Sequence, residues 1–171
     1  MLVGKSVYLS DLQEQHLHDI YTWKNDFELG DLVLSPPYPS RYENVVAWRK
    51  LNQEDSKQVL FGVFCKENSK CIGIARLMFI DWISRTAEVG LYIGSKENRG
   101  KSIGKEILLL LLDYAFSRLN LQKTTLKVLE TNIPAVKCYE SCGFTQEGLL
   151  ENHVWVNGEY KNVKLMSKFK N

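Results

Sequence analysis

The amino-acid sequence predicts an α/β (α+β) fold with a mixed, mostly antiparallel central sheet, one parallel strand pair and about four flanking helices. Residues 58–65, 71–79 and 85–93 have the apolar, β-branched composition of three consecutive strands. Residues 85–129 contain one strand–helix–strand unit, and such a unit joins parallel strands by a right-handed crossover. Asn157-Gly158 lies between two short alternating segments, which is typical of a two-residue hairpin turn.

The first half of the chain predicts a strand, two helices and then the three-strand meander. Val3–Leu9 has apolar residues at even spacing, which predicts a short strand. Asp11 with Glu14, and Ser40 with Glu43, are capping-box pairs that predict the starts of two helices. The proline-rich residues 35–39 predict the loop between these helices, and the polar residues 66–70 predict a turn between strands.

The second half predicts a loop, a helix, a strand, a second helix and a hairpin. Residues 94–104 are rich in glycine and cations, and a strongly apolar helix follows to about Leu119. Lys123–Leu129 is β-branched and predicts the strand that completes the parallel pair. A short helix is expected over Asn132–Cys142, with Asn132 as its N-cap and Gly143 as a left-handed residue after its end.

Composition and charge exclude several classes of protein. A chain of 171 residues suits one domain, 1–171, and 22 basic against 20 acidic side chains are too balanced for a nucleic-acid binder. The longest apolar run, Ile107–Leu112, is far shorter than the roughly 20 residues that span a membrane. The four cysteines lack metal-ligand spacing and no secretion signal is visible, so we expect a cytoplasmic protein with free thiols and no metal site.

The loop before the apolar helix carries the strongest chemical signal. Arg99-Gly100-Lys101-Ser102-Ile103-Gly104 would place backbone N–H groups and cations at the positive end of a helix, where anions bind. A structural strand-to-helix turn has a similar composition. A nucleotide-binding phosphate loop is rejected, because five residues rather than four separate Gly94 from Gly100-Lys101-Ser102.

Three motifs, in order, resemble those of the GNAT superfamily of N-acetyltransferases. The residues from Arg99 to Gly104 are similar to its acyl-CoA pyrophosphate signature, with Ser102 in place of the middle glycine. The residues from Asn132 to Phe144 are similar to its Asn-x-x-Ala-x-x-x-Tyr-x-x-x-Gly-Phe motif, and those from Ala87 to Ile93 resemble the strand before the signature. The tail from Gly148 to Met166 resembles the ribosomal-protein (RimJ/RimL type) and spermidine acetyltransferase branch.

The resemblance implies an acetyl-CoA-dependent N-acetyltransferase in which a primary amine attacks the thioester directly in a ternary complex. We expect Glu88 to accept the proton of the amine and Tyr139 to donate to the leaving sulfur. The backbone N–H near Leu91 would stabilise the oxyanion, where Gly90 permits a bulge and the parallel strands splay. The expected acetyl-CoA-binding residues are Leu91, Tyr92, Ile93, Arg99, Gly100, Lys101, Ser102, Ile103, Gly104 and Asn132.

The acceptor is less readable from the sequence. Acidic and aromatic residues of the first helices and the next loop could receive a cationic amine, although packing and solvation explain them as well: Trp23, Asp26, Phe27, Glu28, Asp31, Tyr38 and Trp48. A protein amino terminus, a polyamine or another small amine is expected, with an amino sugar or aminoglycoside as the alternative. A non-catalytic acyl-CoA-binding module is the rival from another class. We expect no nucleic-acid or membrane partner, and a homo-oligomer stays open.

Overall fold

The computed structural model describes residues 1–100 and 102–170 and contains one eight-stranded mixed sheet. The strands are β1 (Leu2–Val3), β2 (Val7–Ser10), β3 (Val59–Cys65), β4 (Cys71–Asp81), β5 (Thr86–Ile93), β6 (Lys123–Leu129), β7 (Thr145–Val156) and β8 (Glu159–Phe169). Their order in the sheet is β1-β2-β3-β4-β5-β6-β8-β7, and the β5–β6 pair is parallel whereas the other pairs are antiparallel. The predicted fold class and the predicted meander are therefore confirmed.

Five α-helices flank the sheet in the described part of the chain: α1 (Leu17–Lys24), α2 (Phe27–Leu32), α3 (Tyr42–Glu54), α4 (Ile103–Asp113) and α5 (Ile133–Ser141). The sequence predicted four of them and missed the short α2, which Asp26 caps by accepting a hydrogen bond from the Leu29 N–H. A π-helical turn, Tyr114–Arg118, continues α4 in place of the regular helix that was expected to about Leu119.

The amino-terminal strand and both predicted capping boxes differ from expectation. Val3–Leu9 is not one strand, because the Gly4 N–H donates to the Val7 carbonyl at 2.9 Å and turns the chain between β1 and β2. The carboxylate of Asp11 accepts from the Gln53 amide at 2.8 Å and caps no helix. The N–H of Ser40 donates to the Asn25 amide oxygen at 2.9 Å, and α3 begins after Arg41.

The sheet is covered on both faces. On one face, Leu60 and Ile74 pack in a buried cluster with residues of α1 and α3, including Ile20 and Val45. On the opposite face, Val89 and its neighbours pack in a larger cluster with the apolar side of α4. The strongly apolar α4 is thus a buried helix that lies against the centre of the sheet, directly after β5 in the chain.

The parallel pair opens along its length. Strands β5 and β6 pair only at Thr86↔Lys123, Ala87↔Thr124 and Glu88↔Thr125, although β5 continues to Ile93 and β6 to Leu129. The two strands therefore separate beyond Glu88, which produces the predicted splay.

Two local turn predictions are confirmed by backbone geometry. The amide oxygen of Asn132 accepts from the Ala135 N–H at 3.3 Å and caps α5, while Gly143 after its end has a φ of +87°. Asn157 and Gly158 both have positive φ, 50° and 83°, between β7 and β8. A two-residue hairpin of this kind needs left-handed residues at both central positions, which Asn-Gly supplies.

Candidate active site

A cleft of about 600 Å³ passes through the opening between β5 and β6. On the side of α4 and α5 it is lined by Gly104, Asn132, Ala135, Cys138 and Tyr139. On the side of α1 and α2 it is lined by Trp23, Lys24, Leu29, Trp48 and Arg76. The cleft thus connects the two faces of the sheet, with Glu88 and Leu91 at the opening. A volume in this range suits a small-molecule site.

The backbone of β5 turns polar groups toward this opening. The Gly94 N–H donates to the Ile72 carbonyl at 2.9 Å, which fixes the alternation of hydrogen bonds between β4 and β5. By that alternation, the N–H groups of Leu91 and Ile93 face β6, beyond the last paired residue of that strand. The bulge expected at Gly90 is absent, since the β4–β5 register shifts only between Met78 and Asp81. The opening arises because the β5–β6 pairing stops.

The guanidinium of Arg99 binds the end of β5. Its Nε donates to the Ile93 carbonyl at 2.8 Å and its Nη2 donates to the Gly94 carbonyl at 2.9 Å. Arg99 was expected to offer its charge to an anion. In the structure it also joins the loop to the strand, and so positions the start of α4 beside the opening.

The loop presents an uncapped helix start to the cleft. Gly100 and Ser102 both have left-handed backbone, with φ of +75° and +60°, so Ser102 adopts a conformation that the usual glycine would take easily. The Ser102 side chain makes no capping hydrogen bond to α4. A Cβ added to Gly104 would meet only Cys138 Sγ at 3.8 Å, an ordinary contact. The protein's own packing therefore leaves room beside Gly104, and these features fit a bound diphosphate.

The other predicted loop residues are less exposed to the cleft. Ile103 packs its side chain in the core, and the cleft lining does not include Gly100, Ser102 or Ile103. Lys101 lies outside the described residues. Tyr92 and Ile93 line the cleft, as Leu91, Arg99, Gly104 and Asn132 do.

Tyr139 lies on α5 with its ring edge-on to Phe144, 6.1 Å between ring centroids. Burial raises the pKa of Tyr139 to about 12, so its hydroxyl stays protonated at neutral pH and can donate a hydrogen bond. The neighbouring Cys138 also lines the cleft, but burial raises the pKa of its thiol. A protonated thiol is a poor nucleophile, which favours direct attack over an acetyl-cysteine enzyme.

Glu88 lies on the same face of β5 as Gly90 and Tyr92, and it has an ion-pair partner that was not predicted from the sequence. Its carboxylate accepts from the Lys127 ammonium of β6 at 3.0 Å, across the opening. The Glu88 side chain is 22% exposed and lines the cleft. A carboxylate therefore lies at the opening, in an ion pair with the ammonium group of the neighbouring strand.

The opposite wall of the cleft carries aromatic and basic residues. The Trp23 ring lies edge-on to Tyr92 at 6.2 Å, and Gly94 makes room for it, since a Cβ there would lie 1.9 Å from Trp23 Cδ2. The Lys24 ammonium lies 4.5 Å from the centre of the Trp48 ring. Trp23 and Trp48, expected mainly as packing residues, thus also form cleft wall.

The acidic residues expected near the acceptor are engaged elsewhere. Asp26 and Glu28 lie 3.7 Å and 3.9 Å from the Lys96 ammonium, outside the cleft. Asp31 lines a smaller hollow beside Trp155, and Phe27 and Tyr38 are exposed. Lys24, Arg76 and Lys127 also line the cleft, and none of them was predicted from the sequence as a site residue. The position of Arg76 follows from its pairing with Gly90 across β4 and β5, which the meander prediction could have indicated.

Two further findings concern metals and membranes. Within residues 1–100 and 102–170, no group of three or more His, Cys, Asp and Glu residues is arranged to hold a metal ion. In that same part of the chain, no helix has the length and apolar character that a membrane span requires. A reaction without metal stays a prediction.

Residues 6–145 match the family model described as an acetyltransferase (GNAT) domain. The chain is 32% identical over 164 residues to a spermidine N(1)-acetyltransferase of Vibrio cholerae, and the match covers 96% of this chain and 93% of that protein. A crystal structure of the Vibrio cholerae spermidine N-acetyltransferase with CoA and spermine superposes with a TM-score of 0.90 at 30% identity, over 96% and 95% of the two chains. A dodecameric structure of the enzyme from that organism superposes with a TM-score of 0.82 at 30% identity, over 96% and 94%.

Proposed function

The chain belongs to the GNAT family and is an acetyl-CoA-dependent N-acetyltransferase, and we propose that Glu88 and Tyr139 serve the transfer of the acetyl group to a primary amine between β5 and β6. The observation that carries this proposal is the continuous cleft through the splay. It joins the uncapped start of α4 to a second chamber beside α1, so that two substrates can meet from opposite faces of the sheet.

The start of α4 would hold the diphosphate of acetyl-CoA. The Ser102 side chain does not cap its first amides, and the helix dipole favours negative charge there. Arg99 keeps this loop against the end of β5, and the absent side chain of Gly104 leaves room for close approach. Acetyl-CoA supplies the activated thioester, and the chain's own residues would orient it in the opening.

The acceptor amine must lose a proton before it attacks. An ammonium with a pKa near 10.4 is about three units above neutral pH, so exposing its lone pair costs about 4 kcal/mol. Glu88 lines the opening and can accept this proton directly or through a water molecule. Protonation of Glu88 would remove the carboxylate charge that pairs with the Lys127 ammonium at 3.0 Å.

Two groups would stabilise the charge that moves during transfer. The Leu91 N–H faces the opening and can donate to the acetyl carbonyl oxygen as negative charge develops there. Tyr139 lines the cleft near the start of α4, and its hydroxyl can donate a hydrogen bond to the leaving sulfur.

A polyamine is one acceptor to test, because one relative is a spermidine N(1)-acetyltransferase and a similar solved structure holds CoA and spermine. A peptide amino terminus, an amino sugar and an aminoglycoside belong in the same panel. The dodecameric relative supports a homo-oligomer, which size-exclusion chromatography with light scattering would measure.

The test is release of CoA thiol from acetyl-CoA by the purified full-length chain, with spermidine, peptides, aminoglycosides and amino sugars as acceptors. We expect turnover with at least one amine and a mass gain of one acetyl group on its nitrogen. Binding of acetyl-CoA without acetylation of any amine in the panel would instead support the non-catalytic acyl-CoA-binding module.

A further inference from the structure

The acceptor side of the cleft is basic on its inner wall. We propose that Lys24, Arg76 and the Tyr92 hydroxyl bind an anionic group, a carboxylate or a phosphate, that the acceptor carries in addition to its amine. This inference rests on the proposed function and names the substrate class for the same site.

Arg76 lies at the centre of this wall. It pairs with Gly90 across β4 and β5, on the face that also carries Glu88 and Tyr92. Its Nε lies 2.9 Å from the position that a Cβ of Gly90 would occupy, so its side chain crosses β5 where that strand has no side chain. Arg76 therefore reaches the cleft close to the opening where the amine must react.

The two cations have no acidic partner in the described residues. Among residues 1–100 and 102–170, every carboxylate lies more than 4.0 Å from the charged nitrogens of Lys24 and Arg76. Glu88 is the only carboxylate among the cleft-lining residues described, and Lys127 already neutralises it at 3.0 Å. Half-buried cations are ordinarily paired, so this wall lacks an anion.

The Tyr92 hydroxyl supports a ligand independently of charge. It is buried at the cleft wall, and it has no hydrogen-bond partner within the described part of the chain. Buried hydroxyls are hydrogen-bonded in nearly all proteins, and a carboxylate or phosphate oxygen could accept this hydrogen. Arg76 pairs with Gly90, two residues before Tyr92, so Arg76 and Tyr92 lie on the same face of the sheet, and both line the cleft.

The pKa values of Lys24 and Arg76 are both lowered, as expected for cations buried without an acidic partner. Burial lowers the pKa of Lys24, and the charge of Arg76 lowers it further. Burial also lowers the pKa of Arg76, against the opposing effects of Tyr92 and Glu88. Burial thus makes positive charge less favourable on both groups than it is in water. A polyamine adds cations to the same space, whereas an amine with an anionic group supplies the missing charge.

The test uses four acceptors of equal length that differ only at the end remote from the amine: cadaverine, aminopentanol, aminopentanoate and aminopentyl phosphate. With saturating acetyl-CoA, we expect kcat/KM for the carboxylate or the phosphate to exceed that for cadaverine by about tenfold or more. The two anionic arms identify which anion the site prefers. Equal kcat/KM for all four, or a preference for cadaverine, would overturn the inference.

Variants of Arg76 and Lys24 test whether these two residues cause the preference for an anionic acceptor. Arg76→Gln and Lys24→Gln should each raise KM for the preferred anionic acceptor about tenfold without changing KM for acetyl-CoA. Arg76→Lys should recover part of the loss. Lys50→Gln is the matched control, because Lys50 is exposed and lies 3.9 Å from Glu54, away from the cleft. A preference that survives both glutamine variants would contradict the assignment.

Calorimetry separates this inference from the proposed function. Aminopentyl phosphate and aminopentanoate are titrated into the enzyme–CoA complex, and a thermal shift with CoA shows that each variant is folded. Binding that Arg76→Gln weakens, without acetylation of any amine, would support the anion site and refute the proposed acetyl transfer. Turnover of amines with no anion binding and no anion preference would refute the anion site alone.

Discussion

Replacing Tyr139 with phenylalanine should slow acetyl transfer while leaving acetyl-CoA binding and the fold intact. The substitution removes only the hydroxyl, and the phenylalanine ring keeps the edge-on contact with Phe144. The predicted decrease in rate therefore concerns the step in which the bond between the acetyl carbon and the CoA sulfur breaks.

The size of the effect follows from the burial of Tyr139. Its pKa of about 12 lies about 3.5 units above that of an ordinary thiol, so complete proton transfer to the sulfur would be uphill by about 5 kcal/mol. Tyr139 is thus expected to act by hydrogen bonding to the departing sulfur. A hydrogen bond to a charged group contributes about 1.5–3 kcal/mol, which corresponds to a fall in kcat of roughly 10- to 150-fold.

The assay is steady-state release of CoA thiol for the wild type and Tyr139→Phe, with KM for acetyl-CoA measured for both. Tyr114→Phe is the control, because Tyr114 also lies edge-on to a phenylalanine, Phe61, at 5.3 Å, but outside the cleft. An unchanged kcat in Tyr139→Phe would remove Tyr139 from the reaction. A loss of four orders of magnitude would refute the hydrogen-bond estimate and indicate full proton transfer.

The pH profile checks the same reasoning. A raised pKa means that Tyr139 keeps its proton to higher pH, and at pH 10 about 99% of it is still protonated. The kcat of the wild type should therefore show no alkaline decline due to Tyr139 below pH 10. A decline centred near pH 9 that Tyr139→Phe abolishes would contradict the assigned pKa.

Three further predictions concern the cofactor loop, the proton acceptor and the cap of α5. Gly104→Val should weaken acetyl-CoA binding about tenfold or more in calorimetry, whereas Gly148→Val, outside the cleft, should not. Glu88→Gln should lower kcat about 100-fold, while Lys127→Met lowers it less than about tenfold; equal losses would make the ion pair, and not the base, the essential feature. Asn132→Ala should cost about 1 kcal/mol and lower Tm by about 2–4 °C in calorimetric unfolding, because it removes one capping hydrogen bond.

The parallel pair of β5 and β6 was readily predicted, because the signals of its strand–helix–strand unit are close together in the sequence. The splay of this pair was implied by the family resemblance. The strand–helix–strand unit places β5, the loop and α4 within consecutive residues, and the spacing to α5 brings Asn132 and Tyr139 to the same cleft. The turn at Asn157-Gly158 is equally local, since its conformation depends on two residues.

The hydrogen-bond partners of individual side chains were predicted less accurately than the strands and turns. Asp11 and Ser40 have the spacing of helix caps, but folding brings Gln53 and Asn25 to them, and these contacts replace the caps. The charge of Arg99 and its position in a glycine-rich loop predicted that it binds an anion. In the structure, two backbone carbonyls at the end of β5 accept hydrogen bonds from its guanidinium. A short motif shows which groups a residue offers, while the choice of partner depends on distant segments.

The sequence by itself determined the fold class and the family, and it supplied the residues that we propose for binding acetyl-CoA, because these depend on periodicity and on motifs in which neighbouring residues act together. The tertiary structure alone decided the acceptor side. The register between β4 and β5 sets Arg76 opposite Gly90, and the packing of α1 on the sheet brings Lys24 to the same wall. Strands β5 and β6 also had to lie side by side before Lys127 could neutralise Glu88. The charged residues at this part of the cleft come from four separate segments, α1, β4, β5 and β6. The distances between them depend on the fold and cannot be predicted from a local sequence pattern.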